Sequence, residues 1–286
     1  MQKNSVKLWS GLGVALVLGA GGSVATADSA EAAGLHAAPP AHHGLPMTFV
    51  AGGESGHGHA HGGEGGEGGE GGEAGAFQGI DEHAATVGQL LLVRGHLAIG
   101  TSLYGDGKAD DALPHFLHPA EEIYESIEPE LHEHNITTLG DALAALAAAG
   151  KAKADVAEIN RLAAEIDGVV AKAIAEVGGS HLTDKAFLFD VAVPVMQTAA
   201  DEYEAAFRDG RIANVVEYQD SRGFVWALAD FLKAQGLPAD DKLVAAVDAT
   251  KPAWPAVQPP QAPTVEASAL RAQVSRIELL GGEYRK

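Results

Sequence analysis

Residues 113–133 read LPHFLHPAEEIYESIEPELHE, and the recurrence of their apolar side chains decides the fold class. At about 100° per residue, Leu113, Phe116, Leu117, Ala120, Ile123, Tyr124, Ile127 and Leu131 fall on one side of a helix. His115, His118, Glu122 and Glu125 gather roughly opposite, flanked by Glu121 and His132. An apolar stripe of this width belongs to a helix packed on a core. Its polar side has two readings: a solvated outer surface, or imidazole and carboxylate ligands for a metal. Pro114 is placed to open the helix, and Pro119 to bend its first turns or restart it at His118.

The same three- and four-residue recurrence runs through the chain from Asp81 onward, where alanine and leucine dominate. It predicts helices over 81–104, 113–133, 137–149, 152–177, 181–209, 212–235 and 239–249. Glycines at 105, 107, 150, 178, 179, 210 and 236 are the natural stops. The expected fold is an all-α bundle of six to seven helices over residues 80–250. Pro194 should kink the fifth helix. Residues 251–263, KPAWPAVQPPQAP, hold five prolines and make a stiff strap. In residues 264–286, Leu270, Val274, Ile277 and Leu280 predict a short last helix that docks back.

Upstream of the bundle the composition changes. Residues 1–27 carry Lys3 and Lys7, an apolar run from Leu12 to Ala20, and Ala25-Thr26-Ala27 before Asp28. That is the pattern of a secretory signal peptide, and the run falls short of the ~20 residues of a membrane span. A periplasmic or secreted protein with no membrane span after cleavage is expected. Residues 28–79 are Ala, Gly, Pro, His and Glu with almost no large apolar side chains, too few to offset chain entropy. This disordered arm contains His57, His59 and His61 and four GGE units ending at Glu73. Its imidazoles either share metal ions weakly or are incidental to a solvated tether.

Net charge and missing residue types remove several functions. The formal charge of −20 becomes −22 without Lys3 and Lys7, which repels nucleic acid and anionic membranes and attracts cations. Zero cysteines exclude thiolate zinc sites, blue copper, iron–sulfur clusters and covalently attached haem. Any metal must rest on His, Asp, Glu, Met or Tyr.

Two further helices carry polar residues where apolar ones belong. His96 shares its face with Leu92, Ile99 and Leu103, with Gly88 and Gly100 nearby to admit another helix. A buried His there is either a ligand or a core histidine bonded to the backbone. Glu217, Asp220 and Ser221 share a face with Phe224, Leu228 and Phe231. Buried carboxylates need a cation, a hydrogen-bond network or an arginine such as Arg94 or Arg208. If the helices pack together, His96, His115, His118, Glu121 or Glu122, and Glu217 or Asp220 converge on one metal. A weaker cluster, Glu130, His132, Glu133 and His134, also reads as dipole partners at a helix end. His181 carries no assigned role.

The element His118-Pro-Ala-Glu121 resembles the HxxE motif of imelysin-like periplasmic proteins, although Phe116 stands where that motif has glycine. The resemblance implies a helical bundle linked to iron uptake, with His118 and Glu121 as metal ligands. Enzyme signatures such as HExxH, GxSxG, a phosphate loop or a dinucleotide fingerprint are missing. No histidine from residue 81 onward has a glutamate three residues before it, against the paired Glu-x-x-His of di-iron bundles. The expected function is zinc or iron buffering and delivery, with copper and nickel also compatible, alongside an envelope metal transporter and without catalysis. The alternative is an interaction or scaffold module of the envelope with no specific metal site.

Overall fold

The structure, a computed structural model, describes Glu73 and residues 75–286; the expected signal peptide and His57, His59 and His61 lie outside these residues. The described part is all-α apart from one two-residue hairpin. None of its helices is long and apolar enough to cross a membrane.

Helix α1, Glu82–Gly105, is the axis of the bundle. Asp81 caps it by accepting the Ala84 N–H at 3.1 Å. Leu90, Leu91, Leu92 and Val93 are all fully buried, so α1 is apolar on every side and is enclosed by its neighbours. Around it stand α2 (Ala109–His118), α5 (Val156–Gly178), α6 (Lys185–Ala206) and α7 (Val215–Ala234). α4 (Leu139–Lys151) packs outside α2 and α5. α5 is one-sided, burying Ile159, Leu162, Ile166, Val170, Ala173, Ile174 and Val177.

Glycines set how closely these helices approach α1. A β-carbon on Gly95 would lie 2.8 Å from the Gly223 carbonyl carbon, so α1 and α7 cross backbone against backbone. At Gly100 it would lie 2.4 Å from the Phe116 ring and 3.2 Å from the His115 β-carbon, which brings α2 in. Gly88 instead seats the Phe77 ring.

Several boundaries differ from the sequence reading. The predicted 113–133 helix opens earlier, at Ala109, so Pro114 lies inside α2. Pro119 then starts a π turn, Pro119–Ile123, before α3, Tyr124–Glu133. Proline has no N–H to give, and the wider turn is closed by the Tyr124 N–H donating to the Pro119 carbonyl five residues back. As expected, Pro194 lies inside one continuous helix, α6. The 207–212 segment, predicted helical on both sides of Gly210, is a hairpin of β1 (Phe207–Arg208) and β2 (Arg211–Ile212). Asp209 and Gly210 have φ of 51° and 69°, the mirror-image turn that short hairpins prefer.

Within the stretch read as the end of the arm, Glu73 and Phe77 are buried: Phe77 sits in the Gly88 notch and Glu73 meets His96. At the other end, α8 (Lys242–Asp248) leads to the proline-rich strap, whose Trp254 is buried and donates to Ser221 Oγ at 2.7 Å. α9, Ala267–Leu279, docks on α6 through Leu270, Val274 and Ile277, and α10, Gly281–Tyr284, follows.

Candidate metal centre

The end of α2 and the first turns of α7 meet beside the middle of α1. His115 and His118 occupy the last turn of α2, just before the π turn. Glu217 lies in the first turn of α7, where the helix dipole favours negative charge, and Asp220 lies about one turn further in. The Gly95–Gly223 crossing and the Gly100 notch place His96 between them.

Asp220 is the hub, and it is fully buried. Its Oδ1 lies 2.6 Å from His115 Nδ1 and 2.7 Å from His96 Nδ1, and its Oδ2 lies 3.2 Å from His118 Nδ1. On the far side of His96, both oxygens of Glu73 stand 3.0 Å from Nε2. His115 is tied at its other nitrogen to Gln219 Oε1 at 3.0 Å. The sequence rivals for Asp220 are engaged elsewhere: Arg94 pairs with Asp167 at 2.8 Å, and Arg208 is exposed in the hairpin. Among the described residues, Asp220 has no lysine or arginine partner and only imidazoles around it.

The charges in this cluster are strongly displaced. Burial alone would strip the proton from His96, but Asp220 and Glu73 outweigh it and hold its pKa well above 6.5. Burial would likewise raise Asp220, yet His96 and His115 hold it well below the usual carboxylate range. His118 is desolvated too, and its bond to Asp220 still raises it. Two more carboxyls feel the site. Partial desolvation and then Glu73 push Glu122 up, while burial and a hydrogen bond with Glu217 push Glu202 far up. Five carboxyls therefore surround three imidazoles.

His96 Nδ1 carries the most direct sign of a ligand. It is buried, and Asp220 Oδ1 stands 2.7 Å away but off the direction in which the ring nitrogen bonds best, a charge contact and not a well-aligned hydrogen bond. One atom each from Glu73, His96, His118 and Asp220 falls within 4.8 Å of the others. Ligands of a tetrahedral ion at about 2.0–2.2 Å stand about 3.3–3.6 Å apart, so small adjustments would let these four enclose a cation. Two imidazoles and two carboxylates suit zinc or ferrous iron. Glu122, Glu202 and Glu217 lie at the margin of this group.

Of the sequence candidates, the structure brings together His96, His115, His118 and Asp220, with Glu122 and Glu217 at the margin. His115 sits behind Asp220 and orients it. Glu121 is exposed and is not in this group, while Glu122, also exposed, feels Glu73, His118 and His96. Two residues escaped the sequence reading: Glu73 repeats a Gly-Gly-Glu pattern indistinguishable from linker, and Glu202 lies on α6 with no motif around it.

No curated protein and no solved structure matches the chain. Residues 179–281, from the end of α5 to α10 and including Glu202, Glu217 and Asp220, match the family of the iron permease-associated 4-helix bundle domain. This similarity lies with iron-uptake helical bundles and not with imelysin-like proteins in particular.

Proposed function

We propose that this protein binds a transition-metal cation, iron ahead of zinc, at Glu73, His96, His118 and Asp220, and buffers or delivers it for an iron permease. The carrying observation is Asp220, fully buried among three imidazoles with no lysine or arginine among the described residues, beside a His96 nitrogen that finds no aligned partner. Asp220 and Glu73 hold the proton of His96 between them, and a divalent cation can take that proton's place. The similarity of residues 179–281 to a permease-associated bundle supports iron as the cargo. The amino-terminal pattern supports export, and His57, His59 and His61 offer imidazoles for weak metal capture. No catalytic step is needed, since every ligand is also explained by holding and releasing an ion.

The test is anaerobic ferrous-iron and zinc titration of the full chain, with metal counted by mass spectrometry, against Asp220→Asn and a His96→Ala/His118→Ala double variant. The tightest equivalent should vanish in both. Wild-type metal content in both folded variants would reduce the cluster to an ion-pair network and leave the scaffold reading in place.

A further inference from the structure

We propose that His83, Glu130 and His134 form a second, solvent-open site for a divalent transition cation, independent of the buried one. Thirteen residues of α1 separate His83 from His96, about 20 Å along the helix axis, so one ion cannot touch both sites.

The three ligands come from two helices. His83 stands in the first turn of α1, Glu130 near the end of α3, and His134 is the residue that caps α3. Both imidazoles address a single oxygen: His83 Nε2 lies 3.2 Å and His134 Nε2 3.1 Å from Glu130 Oε1. The two rings are 5.9 Å apart at their centres. Imidazoles sharing one ion at about 2.0–2.1 Å place their centres about 5–6 Å apart. A third ring, His181, lies 6.1 Å from His83 and is exposed.

Glu130 is what singles the group out. Its side chain is 7% exposed, and among the described residues neither lysine nor arginine pairs with it. It is held at a helix carboxyl terminus, where the dipole already disfavours negative charge. A buried carboxylate so placed calls for a cation, and the imidazoles facing it are 41% and 27% exposed, which leaves an entry path. Two imidazoles and one carboxylate suit zinc or ferrous iron, leave positions for water, and discriminate against calcium and magnesium. In the ligated form each ring carries its proton on Nδ1, freeing the Nε2 lone pair.

The probe is zinc alone, equilibrated with the full chain at a concentration that fills the buried site, and counted by mass spectrometry. His83→Ala changes a half-exposed side chain and should fold normally; it should bind one equivalent less than wild type. Glu130→Gln, which keeps the shape, should lose the same equivalent. The His96→Ala/His118→Ala variant should lose a different one, so that failure here and failure of the buried site are told apart. Unchanged zinc in both folded His83→Ala and Glu130→Gln proteins would overturn the proposal.

Discussion

Gly95 and Gly223 touch through their backbones: a β-carbon on Gly223 would stand 2.5 Å from the Gly95 carbonyl oxygen. That contact sets the distance between α1 and α7, and so the 2.7 Å between His96 and Asp220. Gly223→Ala must push the helices apart, at a cost of about 1–3 kcal/mol for overpacking. Denaturant melts should show that loss, together with weakened metal binding. Gly168→Ala is the control: nothing lies within 4 Å of its β-carbon position, and in mid-helix it should be neutral or stabilising by up to about 1 kcal/mol. Equal stability of the two variants would refute the close-crossing account.

Glu73 separates two truncations that the linker composition makes look equivalent. Removing residues 1–62 takes away His57, His59 and His61 and should lower only weak metal uptake. Removing residues 1–79 also takes Glu73 from His96 and Phe77 from the Gly88 notch. The longer deletion should lose about 3–5 kcal/mol of stability, as expected for emptying a buried Phe site. Affinity at the buried site should fall as well. Calorimetry on both proteins decides, and identical melting and iron affinity would show that residues 63–79 are tether after all.

His115 acts through Asp220. It bonds Asp220 at 2.6 Å and Gln219 at 3.0 Å, so it fixes the carboxylate without occupying the ligand set. His115→Ala should keep the stoichiometry and lower affinity about 10–100-fold, the effect of losing a group that orients a ligand. Complete loss of the equivalent would make His115 a ligand itself.

Asp241 provides a pH-dependent clasp remote from the candidate metal centre. It caps α8 through the Leu243 N–H at 3.0 Å, accepts Lys185 Nζ at 2.8 Å, and accepts the Tyr284 hydroxyl. Burial would raise its carboxyl, but Lys185 and Tyr284 win and lower it. Folding therefore favours its charged form; the contribution is full above about pH 4 and fades as pH falls through the depressed value. Tyr284 is the converse case, pushed up to about 12 by burial and by Asp241. Its contribution is full below about pH 10 and is lost from there toward 12. Asp241→Ala should cost about 0.5–2 kcal/mol for the cap alone and flatten the acid limb of the stability profile. An unchanged acid limb would remove Asp241 from the account.

The helices were legible where one side chain pattern repeats. The apolar stripe of Ile159, Leu162, Ile166, Val170 and Ile174 can be satisfied only by a helix with one buried face. The Phe207–Ile212 hairpin was not, since Ala-rich flanks carry the same recurrence up to Gly210, and only Asp209 and Gly210 mark the turn. In the site, His96 and Asp220 stood out as polar residues on apolar faces. Glu73 did not, because a Gly-Gly-Glu unit has no periodicity that separates a buried carboxylate from a solvated one.

By itself the sequence determined an acidic, cysteine-free bundle with imidazoles and carboxylates on the inner faces of three helices, because periodicity and composition are local properties of the chain. The tertiary structure alone decided which of them meet. Helix crossing at Gly95 and Gly223, the π turn after Pro119 and the return of Glu73 to α1 depend on residues far apart in the chain, and no local pattern records those distances.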